Sequence, residues 1–115
     1  MVEDLFERLN SQSLKFSELD NKTDKEIFNL LENILEYDKS YGKLNSSNVY
    51  TLLLIAHWDD ALDYWSIYIY EKEDSYIILW SDSQKLSKEL KSFKVKKDEF
   101  KETLQKFLQY SKHIQ

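Results

Sequence analysis

The sequence predicts an α+β domain in which an antiparallel four-stranded β-meander packs with two N-terminal helices and one C-terminal helix. The pattern of apolar residues leads to this prediction, with helical spacing near both ends of the chain and short, strand-like apolar runs in the middle. The turns between those runs are short enough to favour antiparallel neighbours. At 115 residues, of which 42% are hydrophobic, residues 1–115 are expected to form one domain with a substantial core.

The two N-terminal helices are predicted from their apolar stripes. Three residues of the first helix, residues 2–10, share one face: Leu5, Phe6 and Leu9. The second helix begins after Thr23, which has the spacing of a capping box with Glu26, and it ends near Tyr37. Its stripe recurs at i, i+3, i+4, i+7 and i+8 and consists of Ile27, Leu30, Leu31, Ile34 and Leu35.

The C-terminal helix is predicted to begin near Asp98, whose side chain is a good N-cap. Its inward-facing residues are expected to be Phe100, Leu104, Phe107 and Leu108. A further short helical turn is predicted over residues 83–90.

Four strands are predicted between these helices. Residues 49–58 are nearly continuous in apolar and β-branched residues, which is typical of a strand buried on both faces. Residues 64–71 and 76–81 predict two more strands, and Phe93 and Val95 mark a short fourth strand. The only basic run of the chain lies along and just after this strand and comprises Lys91, Lys94, Lys96 and Lys97. Solvated edge lysines are the favoured interpretation, and nucleic-acid contact is the alternative.

A tight turn centred on Glu73 and Asp74 fixes the register of the second and third strands. It predicts the cross-strand pairs Glu71 with Tyr76, Ile69 with Ile78, and Ile67 with Trp80. One face of this hairpin is then rich in tyrosine, through Tyr64, Tyr68 and Tyr70. Such a face could stack nucleic-acid bases, but its neighbours are acidic rather than basic. We therefore favour a face that is covered by a helix.

Composition narrows the class of protein. The chain has no cysteine, which excludes disulfides and thiolate chemistry and is typical of a reducing cytoplasm. Its start lacks the features of a signal peptide, and no apolar stretch is long enough to span a membrane. Residues 1–82 hold 17 acids against 7 bases, a net charge of −10, whereas residues 83–115 hold 9 bases against 4 acids, a net charge of +5. This layout disfavours a general nucleic-acid binder and suits attraction of a basic partner.

The clearest cluster of acids follows the first long strand and contains Asp59, Asp60 and Asp63. Carboxylates are magnesium ligands, so a carboxylate-dependent metal enzyme is one alternative. Neither a calcium-loop pattern nor a catalytic two-carboxylate spacing is present. A nucleophile elbow or phosphate loop needs several glycines, and Gly42 is the only one. We therefore expect no catalysis, no cofactor and no metal.

The topology instead indicates a surface for binding a protein. In an up-down-up meander the ends of the first and third strands lie at the same end of the sheet. Acids and aromatic residues should gather there, and we call this set the sheet-end surface: Trp58, Asp59, Asp60, Asp63, Tyr64, Trp80 and Asp82. Aromatic anchors with charged neighbours are typical of interfaces. Gathering like charges costs stability, so a binding role explains them better than the fold alone does.

In size, acidity, absence of cysteine, and aromatic strands that end in acidic loops, the chain resembles the immunity proteins that bacteria co-express with polymorphic toxins, including those of contact-dependent inhibition systems. This resemblance implies a cytoplasmic inhibitor that occludes the basic active site of a cognate toxin, commonly a nuclease. A phage or mobile-element protein that blocks a host enzyme by DNA mimicry is the alternative. Either a monomer or a homodimer is compatible with the sequence.

Overall fold

The computed structural model describes residues 2–59, 64–82 and 90–114. Its α-helices are α1 (Val2–Ser11), α2 (Asp24–Tyr37), α3 (Ser46–Asn48) and α4 (Lys97–Ile114). Its strands are β1 (Leu54–Asp59), β2 (Tyr64–Lys72), β3 (Ser75–Asp82) and β4 (Leu90–Lys96). A 3-10 turn (Ser17–Leu19) precedes α2, and a π-helical segment (Val49–Leu53) joins α3 to β1. The predicted α+β class is confirmed, and the predicted helical turn over residues 83–90 lies almost wholly outside the described residues.

Helix α2 begins with the capping box that its sequence predicts. The hydroxyl of Thr23 accepts a hydrogen bond from the N–H of Glu26 (3.2 Å), and the Glu26 carboxylate accepts one from the N–H of Thr23 (3.1 Å). Two N–H groups of the first turn are thereby satisfied. The helix ends at Asp38, which is in the left-handed conformation (φ 49°) and donates its N–H to the carbonyl of Ile34.

The sheet is the predicted antiparallel meander, with strand order β1-β2-β3-β4. Strands β2 and β3 pair in the predicted register, including Glu71 with Tyr76, Ile69 with Ile78, and Ile67 with Trp80. The turn at Glu73 and Asp74 leaves little freedom for any other pairing, and Glu73 adopts the positive φ (59°) that a tight hairpin turn requires.

The expected strand over residues 49–58 is wrong in its first half. Asn45 caps a short helix by accepting a hydrogen bond from the N–H of Asn48 (2.8 Å), and the helical backbone then continues through Leu53. Val49 and Leu53, four residues apart, are fully buried, whereas Tyr50 is 64% exposed. This is a helical pattern of burial. A continuous apolar run does not distinguish it from a strand.

Helices cover both faces of the sheet. Tyr68 on one face makes an edge-to-face contact with Phe28 of α2, with ring centroids 5.5 Å apart. Tyr76 on the other face makes a similar contact with Phe100 of α4, at 5.8 Å. Both tyrosines are fully buried. Aromatic pairs of this geometry stabilise the packing beyond the area that they bury.

Helix α4 departs from its prediction at one position. Phe100, Leu104 and Leu108 are half-buried, as expected for an inward face. Phe107, which was expected to face inward, is 53% exposed. The spacing of apolar residues defines a helix face, but it does not define how much of that face the rest of the chain covers.

The carboxylate of Glu71 joins three distant parts of the chain. One carboxylate oxygen accepts a hydrogen bond from the N–H of Leu14 (2.8 Å), and the other lies 2.5 Å from the Nζ of Lys97. The N–H of Glu71 also donates to the carbonyl of Leu14 (3.1 Å). The side chain of Glu71 is only 10% exposed. The end of β2 is therefore tied both to the segment after α1 and to the start of α4.

Replacing Glu71 by alanine should lower the free energy of unfolding by about 2 kcal/mol, because it leaves an N–H and an ammonium group without their acceptor. Urea denaturation measures this change. The matched control is Glu102→Ala, which breaks an exposed ion pair with Lys106 (3.2 Å) and should cost about 0.5 kcal/mol or less. Equal losses in the two variants would contradict the role assigned to Glu71.

The same contacts predict a dependence on pH. Burial raises the pKa of Glu71, but the hydrogen bonds from Lys97 and Leu14 and the charges of Lys97 and Lys101 outweigh it, so the pKa lies below its usual value of 4.5. A carboxylate whose pKa is lower in the folded state than in the unfolded state stabilises the fold at pH values above the unfolded-state pKa. This stabilisation is lost as the pH falls through the folded-state pKa. Below pH 4.5, Glu71→Gln should therefore lose stability less steeply than the wild type. Urea titrations across this range measure the free energy of unfolding of both proteins. Parallel curves for the variant and the wild type would contradict the stabilising role of the Glu71 charge.

Candidate protein-protein interface

The sheet register brings the ends of β1 and β3 to the same end of the sheet. Asp59 pairs with Tyr64, and the next residue of β2, Trp65, pairs with Asp82. One strand separates Asp59 from Asp82, so their backbones lie about 10 Å apart. For Trp58, Asp59, Tyr64 and Asp82 the structure describes the backbone. Asp60 and Asp63, the other acids of the sheet-end surface, lie outside the described residues.

The aromatic residues of the sheet-end surface divide between the two faces of the sheet. Trp58 pairs with Trp65, and Trp80 pairs with Ile67, two residues along β2 from Trp65. Residues that pair directly share a face, as do residues two apart on one strand. The register positions of the three tryptophans therefore belong to one face, and that of Tyr64 belongs to the other. Trp80 and Ile67 are half-buried.

Trp65 is the residue that the sequence prediction left out of the sheet-end surface. Its position between Trp58 and Asp82 follows from the pairing of β1 with β2. That pairing could have been read from the lengths of the two strands and of the four-residue connection between them.

The tyrosine-rich face is part of the core, as predicted. Tyr68 is fully buried and Tyr70 is 3% exposed, so neither ring is available for stacking on a base. The hydroxyl of Tyr68 donates to the carboxylate of Glu32 in α2 (3.1 Å). Burial and the charge of Asp24 raise the pKa of Tyr70 to about 12. Tyr68 attaches α2 to the sheet through its ring contact with Phe28 and its hydrogen bond to Glu32.

Three carboxylates with lowered pKa values accept hydrogen bonds that maintain the fold. The pKa of Glu18 is lowered most by a hydrogen bond from the N–H of Lys43 and less by one from its own N–H. The N–H and hydroxyl of Thr23 lower that of Glu26, and Glu71 has the contacts described above. A general acid at neutral pH needs a raised pKa instead. These three residues are therefore suited to structure and not to proton transfer.

Among the described residues, no group of three or more His, Cys, Asp or Glu side chains is arranged to hold a metal ion. Two of the three acids in the cluster after β1, Asp60 and Asp63, are not among them. In the same part of the chain, no helix is both long enough and apolar enough to cross a membrane.

Comparison with known families identifies one match that covers almost the whole chain. The family model Imm42, described as Immunity protein 42, matches residues 1–110. These residues contain the four strands and most of α4. Neither the curated proteins nor the solved structures give a significant match.

If the tyrosine face serves only the core, Tyr68→Phe should lower stability without changing any binding property. The lost hydrogen bond to Glu32 should cost about 1–2 kcal/mol in urea denaturation. Single-stranded oligonucleotides should not quench the tyrosine fluorescence of either protein. Saturable quenching of the wild type that is absent in the variant would contradict a purely structural face.

Proposed function

The chain belongs to the immunity protein 42 family, and on that basis we propose that it neutralises its cognate toxin by covering a basic site with the sheet-end surface. An immunity protein acts through a specific complex with its toxin, so a stoichiometric inhibitor needs a surface and not an active site. The toxin is proposed to be a nuclease, because a site that binds phosphates is basic and attracts carboxylates.

The observation that carries this proposal is the register that places Asp59 and Asp82 at one end of the sheet, with Trp65 between them. The backbones of Asp59 and Asp82 lie about 10 Å apart. Because they pair with Tyr64 and Trp65, which are adjacent on β2, their register positions belong to opposite faces of the sheet. A basic site would therefore have to cover the end of the sheet, and not one face of it, to meet both acids. Three tryptophans occupy register positions on one face near this end of the sheet, and tryptophan is among the residues from which interface hot spots are usually built.

The charge of the part of the chain that contains Asp59 and Asp82 also favours attraction to a basic partner. Residues 1–82, which include β1, β2 and β3, have a net charge of −10. Such a field accelerates the encounter with a basic partner, and salt screens it over about 8–10 Å. Association of the chain with its toxin should therefore slow as the salt concentration rises.

The test is a charge reversal at each end of the sheet. Asp59→Lys with Asp82→Lys should weaken binding to the toxin domain encoded beside this chain at least about tenfold at low salt, mainly through slower association. The matched control, Glu73→Lys with Asp74→Lys, makes the same change in charge at the opposite end, in the β2–β3 turn. It should bind within about threefold of the wild type. Surface plasmon resonance at two salt concentrations separates the rates.

Cell survival gives a second readout of the same variants. Cells that express the toxin domain should survive with the wild type and the control, and fewer should survive with the sheet-end variant. Weaker binding of the control than of the sheet-end variant would move the interface to the opposite end. Failure of the wild type to bind or protect would refute the immunity role for this pair.

A further inference from the structure

Strand β4 forms one edge of the sheet, and its backbone groups alternate between the two sides of the strand. Just after β4, the N–H of Lys97 donates to the carbonyl of Asp74 on the β3 side (3.1 Å). In an antiparallel pair every second residue bonds to the neighbouring strand. The residues that bond to β3 are therefore Lys91, Phe93 and Val95. Those whose N–H and C=O groups point away from the sheet are Ser92, Lys94 and Lys96.

The two-residue turn between β2 and β3 gives the same alternation independently. Lys72 and Ser75 close that turn as a bonded pair, so the N–H of Glu71 points away from β3, and it does bond to Leu14 on the other side. Because Ser75 bonds to β2, the next residue of β3, Tyr76, bonds to its partner Val95 in β4. The alternation along β4 then again directs the N–H and C=O groups of Ser92 and Lys94 away from the sheet. Within residues 2–59, 64–82 and 90–114, no backbone group bonds to their outward N–H groups.

The side chains along this edge are exposed and carry one sign of charge. We call Lys91, Lys94 and Lys96 the lysine edge, and all three are exposed. Strand β4 contains no acid, so its seven residues have a net charge of +3. Lys91 is paired with Trp80, whereas Lys94 and Lys96 are paired with Ile77 and Ser75, so lysines occur at positions of both faces. Lys97 differs from them, because it is paired with Glu71.

From the outward backbone groups of β4 and from its charge we propose that this strand binds an extended acidic segment of the toxin, which adds to the sheet as a further strand beside β4. The outward N–H and C=O groups of Ser92 and Lys94 would pair with the backbone of that segment. Acids at alternate positions of the added strand would then lie opposite lysines, which stabilises a cross-strand pair. Phe93, 56% exposed, offers apolar area on the α4 face of the sheet.

The other possible occupants fit the edge less well. A second copy of this chain would place lysines against lysines, which destabilises strand pairing. A nucleic acid would use the charges but has no peptide backbone to pair with the strand. An acidic peptide segment satisfies both the charges and the backbone groups.

The position of β4 connects the lysine edge with the sheet-end surface. Leu90 and Lys91, at the start of β4, pair with Ser81 and Trp80, so this strand begins at the acidic end of the sheet. One partner could therefore contact both surfaces, provided that it has a basic site and an acidic strand side by side. The identity of the partner as the toxin rests on the proposed function.

The test separates the backbone of Lys94 from its charge. Lys94→Pro removes one outward N–H and no bond to β3, and proline is tolerated on the free side of an edge strand. Lys94→Thr removes the same charge but keeps the N–H. Lys94→Pro should weaken binding to the toxin domain at least about tenfold, and Lys94→Thr only about two- to threefold. Isothermal titration calorimetry measures both, and circular dichroism confirms that each variant is folded.

Hydrogen exchange of the wild-type complex provides a measurement that needs no variant. The amides of Ser92 and Lys94 should exchange at least about tenfold more slowly with the toxin bound, because they gain acceptors. Unchanged exchange at both amides, or equal binding by Lys94→Pro and Lys94→Thr, would overturn strand addition. A wild-type dimer that Lys94→Pro dissociates would assign the edge to a second copy. Binding of single-stranded DNA weakened equally by both variants would assign it to nucleic acid.

These outcomes remain separate from those of the sheet-end variants. If the wild type binds no toxin, the proposed function fails. If the wild type binds and Lys94→Pro binds as well as Lys94→Thr, only strand addition at β4 fails.

Discussion

The ionised carboxylate of Glu71 sets the arrangement of the elements around the sheet. It lies at the end of β2 and holds the N–H of Leu14 on one side and the ammonium of Lys97 on the other. Leu14 follows α1 and Lys97 begins α4, and these two helices pack against each other. The carboxylate therefore fixes the end of α1 and the start of α4 relative to β2. It can do so because its hydrogen bonds offset the cost of keeping a charge largely buried.

The packing of helices on both faces closes the middle of the sheet to a partner. Tyr68 and Tyr76 occupy opposite faces of the sheet, and each is buried under a different helix. The two proposed binding surfaces lie at the perimeter of the sheet: the end near Asp59 and Asp82, and the outer edge of β4. The two have opposite charge. A partner with a basic region facing the sheet end and an acidic region facing β4 would bind in one orientation. In the opposite orientation, like charges would face each other and repel.

Predictions that rest on the spacing of a few neighbouring residues are confirmed. The capping box at Thr23 and Glu26 and the two-residue turn at Glu73 and Asp74 are of this kind, and the turn also fixed the register of β2 and β3. The apolar run at Val49–Leu53 was assigned wrongly, because an apolar run suits both a buried helix and a buried strand. The spacing of apolar residues also did not predict that Phe107 is exposed, because the burial of a helix face depends on which other elements pack against it.

The candidate site was predictable to a similar degree. Strand order alone places Asp59 and Asp82 at one end of the sheet, and the structure shows that arrangement of their backbones. The outward direction of Ser92 and Lys94 was not predictable from composition, because it depends on which residues of β3 bond to β4. It follows only from a register traced through two strand pairs and from the hydrogen bond at Lys97.

The central claim, inhibition by covering the toxin's basic site, is tested most directly by titrating a fixed amount of the purified toxin domain with this chain and measuring the remaining toxin activity. Covering the site predicts that activity falls in proportion to added protein, reaches zero near an equimolar ratio, and returns when salt dissociates the complex. Activity that persists at saturating binding would contradict the claim, as would inactivation by far less than one equivalent, which only a catalytic mechanism could produce.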